Sequence, residues 1–147
     1  MKQLVIIVVI GFCIFSCNKE EFNINTFGKC NGGIITDSLS LNSKLTGTWK
    51  WTEQLCMCCG KPTKADKAVI TTFMSDTTFS VSENQKIITT GNWRIRKDID
   101  GFVISIYYSQ GASDGHYLDG YITICDNQLL ADASPNDGCK HLFIKTN

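Results

Sequence analysis

The apolar residues after Leu45 come in eight short runs, and the spacing of these runs limits the fold more than any other feature of the chain. The runs are rich in Thr, Ile, Val and aromatic residues, and no segment shows a sustained period of 3.6 residues, so they predict β-strands rather than helices. The predicted strands are 47–55, 68–74, 77–82, 87–96, 102–108, 117–125, 128–133 and 139–145.

The connections between these runs predict how the strands pair. Most are too short to hold a crossover helix, so neighbouring strands must be antiparallel. Asp126-Asn127 is typical of a two-residue hairpin turn, and the longest connection is 56–67. Closure into a barrel removes the exposed edges of such a sheet. We therefore predict an all-β fold, an eight-stranded antiparallel up-and-down meander closed as a small barrel, with a two-sheet sandwich as the alternative.

The first seventeen residues have the pattern of an export signal. A short basic segment, 1–3, precedes an apolar segment, 4–15. The apolar segment is shorter than the roughly 20 residues that span a bilayer, but it is typical of a signal peptide. Its end, Ile14-Phe15-Ser16-Cys17, resembles the lipobox of bacterial lipoproteins, including those of Bacteroidota. This resemblance implies cleavage after Ser16 and lipidation of Cys17. The alternative is an ordinary signal peptide, with Cys17 as a disulfide thiol.

The residues that follow Cys17 predict a tethered protein. Several acyl chains on one cysteine give stable anchoring, so we expect the outer membrane as the location. Asn18-Lys19-Glu20-Glu21 resembles the surface-export signal of Bacteroidota lipoproteins, and both the cell surface and the periplasmic face stay open. The predicted organisation is a signal peptide at 1–16, the lipidated cysteine and a flexible tether at 17–44, and a barrel domain at 45–147.

Three short motifs of the barrel domain carry a family resemblance. Gly47-Thr48-Trp49 matches the Gly-x-Trp pattern of lipocalins, in which the tryptophan packs across the closed end of the barrel. With Gly91-Asn92-Trp93 and the segment 138–145, it is similar to the small lipocalin-like lipoproteins of Bacteroidota. The resemblance implies a barrel without catalytic activity that binds a small apolar molecule. The domain is smaller than a usual lipocalin, and no arginine follows the last strand to pack on the tryptophan.

The chain has eight cysteines, which in an exported protein predict disulfides. Without Cys13 of the signal peptide and Cys17, six remain: Cys30, Cys56, Cys58, Cys59, Cys125 and Cys139. In a closed meander the first and last strands are neighbours, so Cys139 should pair with one of the three cysteines that follow the first strand. The expected partner of Cys125 is Cys30 at the opposite rim, and the remaining two should pair locally. A strand separates Cys125 from Cys139, which disfavours their pairing.

Two short sequence motifs contain residue types that occur in metal sites and in catalytic sites. Cys56-Met57-Cys58-Cys59, with Met57 or His141, offers soft ligands for Cu(I) or Zn(II), but it has no recognised zinc spacing. Ser113-Asp114-Gly115-His116 contains the residue types of a catalytic triad, but triad residues come from separate elements. We predict no metal, no cofactor and no enzyme activity.

The charge balance and the aromatic residues indicate which classes of ligand or partner to expect. Fourteen basic and fourteen acidic side chains cancel, and no basic stripe is present, so nucleic acid is not an expected partner. The residues proposed for the wall of an apolar cavity are Trp51, Trp93, Phe102, Ile104 and Tyr121. Alternatively, such side chains fill a small barrel, and the domain is a disulfide-stapled protein-interaction or inhibitor module that uses its loops. The ligand binder should contain an open apolar cavity above roughly 300 Å³, whereas the interaction module should have a filled interior.

Overall fold

The computed structural model describes residues 24–25, 27–28, 35–56, 58, 60–110 and 116–146. This part of the chain is built almost entirely of strands. Its elements are α1 (Ser38–Leu45), β1 (Gly47–Cys56), β2 (Thr63–Lys64), β3 (Val69–Phe73), β4 (Thr78–Glu83), β5 (Lys86–Lys97), β6 (Phe102–Gln110), β7 (Tyr121–Cys125), β8 (Gln128–Asp132) and β9 (Cys139–Thr146). Two short 3-10 helices, η1 (His116–Leu118) and η2 (Ser134–Asn136), complete it. None of the described helices has the length and apolar character needed to cross a membrane.

The strands form one antiparallel sheet in the order β2-β1-β3-β4-β5-β6-β7-β8-β9, and β1 also pairs with β9. This second pairing closes the sheet, so the predicted all-β barrel of eight strands is confirmed and the two-sheet sandwich is excluded. The two-residue strand β2 is an addition that pairs with β1 at Glu53 and Gln54. The predicted Asp126-Asn127 hairpin joins β7 to β8.

The helix α1 was not predicted, and it occupies the end of the segment assigned to a flexible tether. Asp37 caps it, because its carboxylate accepts a hydrogen bond from the Ser40 N–H at 2.8 Å. Leu41 and Leu45, one turn apart, are both fully buried in the core. The prediction of a strand over 117–125 was also partly wrong, because 116–118 form η1 and the strand begins at Tyr121.

Helix α1 closes one end of the barrel by packing against Trp49. The Trp49 indole N–H donates to the Leu45 carbonyl at 2.6 Å, so the helix and β1 share a hydrogen bond. Lys145 Nζ lies 5.1 Å from the centre of the Trp49 ring and donates to the carbonyls of Lys44 at 2.6 Å and Thr46 at 2.8 Å. A cation from the last strand therefore packs on the tryptophan, although it is a lysine within β9 rather than an arginine after it.

The glycines of the two Gly-x-Trp motifs are required where backbone and side chains come close. Gly47 has φ +128°, and a Cβ there would lie 2.7 Å from Lys145 Cε. At Gly91 a Cβ would overlap the carbonyl oxygen of Tyr107 and lie 2.8 Å from a ring carbon of Phe79. Gly91 also follows a register shift between β5 and β6. Each motif thus pairs a buried tryptophan with a position that requires glycine, Gly47 because of its positive φ and Gly91 because the Tyr107 backbone comes too close for a Cβ.

The N-terminal segment packs on the outside of the closed seam. The Ile24 N–H donates to Glu53 Oε2 at 2.9 Å, and Glu53 lies opposite Leu142 in the β1–β9 pairing. Phe143 belongs to the interior cluster, so its neighbour Leu142 faces outwards. Leu142 is nevertheless 0% exposed, and Ile24 is 8% exposed. Part of the segment predicted as a flexible tether is therefore docked on the barrel.

The disulfides follow the topology of the barrel. Cys56 at the end of β1 is bonded to Cys139 at the start of β9, which confirms that Cys139 pairs with one of the three cysteines after the first strand. Cys125 is also disulfide-bonded, and a bond to Cys139 is excluded. Cys58 is exposed. The predicted Cys30–Cys125 pair involves Cys30, which lies outside the described residues, as do Cys17 and Cys59.

One hydrogen bond brings the chain before α1 to the end of β7. The Ile35 N–H donates to the Ile124 carbonyl at 3.3 Å, next to Cys125. This contact places Ile35 beside the rim that carries Cys125, and the pairing of Cys125 with Cys30 stays a prediction.

Replacement of both Cys56 and Cys139 by serine should lower the free energy of unfolding by about 2–4 kcal/mol, because the bond closes a long loop. Denaturant unfolding without reductant measures this difference, and circular dichroism should still show the β-sheet spectrum. A loss below about 0.5 kcal/mol would mean that the β1–β9 pairing gains nothing from the bond. Non-reducing peptide mapping should recover Cys56 joined to Cys139.

Replacement of Lys145 by methionine should lower the free energy of unfolding by about 1–2 kcal/mol, since the Trp49 contact and two hydrogen bonds at the C-terminal end of α1 are lost. The matched control is Lys50→Met on β1, an exposed position. Thermal and denaturant unfolding of the two variants test the difference. Equal stabilities would show that Lys145 does not hold α1 on the barrel.

Candidate functional site

Three aromatic rings meet inside the barrel, away from the end that α1 closes. The ring centroids of Trp51 and Tyr117 are 4.8 Å apart, those of Trp51 and His141 are 5.8 Å apart, and those of Tyr117 and His141 are 5.6 Å apart. Trp51 comes from β1, His141 from β9 and Tyr117 from η1. We call this group the ring cluster. It lies toward the end of the barrel that the Cys56–Cys139 disulfide marks, which we call the mouth.

His141 is the polar member of the ring cluster that lacks a partner. The residue is 8% exposed, and its Nδ1 atom is buried without a hydrogen bond. Burial lowers the pKa of the imidazole to about 4, and the Asp119 carboxylate opposes this shift only in part. The ring is therefore neutral at pH 7 and offers one donor nitrogen and one acceptor nitrogen.

A second unpartnered polar atom faces the interior from β3. Within the described ranges, the buried side-chain nitrogen and oxygen atoms without a hydrogen bond are Thr71 Oγ1 and His141 Nδ1. Thr71 is 0% exposed, and it shares its strand face with Val69 and Phe73 of the core. A buried polar atom without a partner costs about 1–3 kcal/mol, and folded proteins leave few of them. Both atoms are therefore positions where a polar group of a ligand would be favourable.

Four of the five predicted wall residues face the interior. Trp51, Trp93 and Ile104 are at most 5% exposed and belong to the core cluster, and Phe102 packs against it. Tyr121 was placed wrongly: Ile122 and Ile124 are its inward-facing neighbours, so Tyr121 lies on the outer face of β7. The alternation of Ile122 and Ile124 with Tyr121 and Thr123 places the more apolar isoleucines on the inner face.

Charged side chains lie at the mouth. Lys67 Nζ is 3.1 Å from Glu83 Oε1, and this hydrogen bond and ion pair raise the pKa of Lys67, to which the nearby Tyr117 hydroxyl also contributes. The sequence did not indicate Tyr117, because it was assigned to a strand rather than to η1. The mouth thus combines aromatic walls with a polar rim, an arrangement common in sites for small molecules.

Among the neighbouring strands of the barrel, β6 and β7 share the shortest described pairing. In the described part of the chain these strands pair only at Phe102–Ile122 and Val103–Tyr121. Farther along β6, Tyr108 is 39% exposed, yet its ring centroid lies 6.1 Å from that of the buried Phe79. Burial raises the pKa of its phenol, with a contribution from Asp119. Tyr108 therefore spans from the interior to solvent.

The two motifs that were weighed as a metal site and as a catalytic triad lie partly outside the described residues. Among them, no group of three or more His, Cys, Asp or Glu side chains is placed to hold a metal ion. Met57 and Cys59 lie outside this part of the chain, and so do residues 113–115 and the side chain of His116. The soft-metal motif and the triad-like run are therefore described only in part.

Comparison with models of protein families, with curated proteins and with solved structures found no match to this chain. What the site can bind is therefore inferred from the geometry of its residues.

The buried His141 predicts a dependence of stability on pH. Its pKa is about 4 in the folded protein and near 6.5 in an unfolded chain, so the unfolded chain takes up the proton first as the pH falls. The free energy of unfolding should decrease between pH 6.5 and 4, by up to about 3 kcal/mol from this group. In His141→Phe this contribution is absent, so the stability difference between the two proteins should change across that window. Denaturant unfolding at pH 4 to 8 measures it, and parallel curves would contradict the buried neutral imidazole.

Proposed function

We propose that the protein is an outer-membrane lipoprotein whose lipocalin-like barrel binds a small apolar molecule without a catalytic step. The observation that carries this proposal is the asymmetry of the barrel. Leu41, Leu45 and Trp49 close one end, while Trp51, Tyr117 and His141 line the interior toward the other end. A ligand would enter beside the ring cluster and lie on aromatic walls.

The closed end supports the lipocalin-like part of the proposal. Trp49 of the Gly-x-Trp motif lies under α1, and a cation from the last strand lies over its ring. This agrees with the expected position of the motif tryptophan across the closed end of the barrel. An apolar ligand would then be held above Trp49, toward the mouth.

The proposed anchor would hold the barrel close to the membrane. Ile24 is docked on β1 through Glu53, and it follows Cys17 by seven residues. Seven extended residues span at most about 25 Å, because each contributes no more than about 3.6 Å. A lipid on Cys17 would therefore keep the barrel at the membrane surface, whichever face of the outer membrane carries it.

A filled interior favours a second function. Trp49, Phe73, Phe79 and Phe143 are each at most 1% exposed, so large side chains occupy much of the barrel. Outside the barrel, Ile99 is 96% exposed and the Leu39 side chain of α1 is 82% exposed. In this alternative the barrel is a disulfide-stapled scaffold that binds a protein partner through its surface.

Titration with N-phenyl-1-naphthylamine, an apolar and uncharged fluorescent probe, distinguishes the two functions. The oxidised protein from residue 18 onwards should bind the probe saturably, with one site per barrel. Tyr117→Arg should weaken binding at least tenfold, since it places a charge in the ring cluster, about 1.4 kcal/mol or more. Tyr121→Arg, on the outer face of the strand β7 that follows η1, should bind the probe like the unmodified protein. Absence of saturable binding by the unmodified protein would favour the partner module.

A further inference from the structure

We infer that the bound molecule is an apolar alcohol whose hydroxyl group hydrogen-bonds to Nδ1 of His141. This inference rests on the proposed function, because it names the class of ligand that the same interior would take. It starts from the buried, unpartnered Nδ1 atom of His141, whose ring contacts the rings of Trp51 and Tyr117 in the ring cluster.

The His141 side chain belongs to the interior of the barrel rather than to the protein surface. Its side chain is on the inner face of β9 with Phe143, and its ring contacts Trp51 of the core cluster. The strand residue between them, Leu142, faces outwards and packs under the docked N-terminal segment. The ligand's polar group must therefore approach from inside the barrel.

The surroundings favour an uncharged group. A carboxylate or an ammonium ion would lose its hydration among apolar side chains, and burial of an unpaired charge is far more costly than burial of a hydroxyl. The charged side chain that acts on the imidazole is Asp119, whose carboxylate would repel a carboxylate ligand. A hydroxyl both donates and accepts, so it satisfies a neutral imidazole in either tautomer.

The apolar part of the alcohol would lie against side chains of the interior cluster. Trp51, Val69 and Ile104 are buried members of the interior cluster, and Trp93 adds a ring whose N–H is already bonded to the Thr78 carbonyl at 2.9 Å. Because that indole donor is satisfied, Trp93 presents only apolar surface. The second unpartnered atom, Thr71 Oγ1, lies opposite Trp49 toward the closed end, and our inference assigns the ligand hydroxyl to His141 instead.

Displacement of N-phenyl-1-naphthylamine by ligands of equal chain length tests this inference. The ligands are 1-dodecanol, dodecane and dodecanoate, at pH 7.5. For each protein the readout is the ratio of the Kd of dodecane to the Kd of dodecanol. When this ratio is compared between variants, the difference in solubility between the two ligands cancels. In His141→Phe this ratio should fall about tenfold, the value of one hydrogen bond. His141→Gln, which keeps a donor and an acceptor, should recover part of it.

Thr71→Val tests the competing assignment, because it removes the other unpartnered polar atom from the interior. The ratio should fall less in Thr71→Val than in His141→Phe, and thermal unfolding establishes that each variant is folded. An unchanged ratio in His141→Phe, or tighter binding of dodecanoate than of dodecanol to the unmodified protein, would overturn the assignment. Failure of every ligand, and of the probe itself, to bind the unmodified protein would instead overturn the proposed function.

Discussion

The pairing of β1 with β9 is the constraint on which the rest of the structure depends. It runs from Thr48–Thr146 to the Cys56–Cys139 disulfide, and it joins the two ends of a meander that would otherwise leave two strand edges open. A bulge between Trp51 and Glu53 interrupts it. Without the bulge, alternation would place the Glu53 carboxylate inside the apolar barrel; with it, Glu53 faces outwards and pairs with Lys64 at 3.0 Å.

Closure also makes the two ends of the barrel different. Where β1 begins and β9 ends, Trp49 and Lys145 hold α1 across the opening. Where β1 ends and β9 begins, the Cys56–Cys139 disulfide joins the two strands, and η1 brings Tyr117 onto Trp51 and His141. The ring cluster therefore exists because segments distant in sequence converge at one end. In the proposed complex, the unpartnered Nδ1 atom of His141 would add a polar contact to the aromatic walls.

The parts of the site that depend on local pattern were predictable. Alternating apolar residues place Trp49 and Trp51 on one face, and a closed meander makes the start of the last strand a neighbour of the end of the first. The facing of Tyr121 was predicted wrongly, although within β7 the alternation of Ile122 and Ile124 with Tyr121 and Thr123 favours isoleucine on the inner face. The role of Tyr117 was missed because residue 117 was assigned to a strand rather than to η1.

The sequence by itself determined the strand-rich character and the antiparallel order, since these follow from side-chain period and short connections. Only the tertiary structure decided that Ser38–Leu45 is a helix, because its two buried leucines gain their stability from Trp49 rather than from helix propensity. Tertiary packing also decided that His141 is neutral and unpartnered. Its burial depends on Tyr117 and Trp51, which no local pattern places beside it.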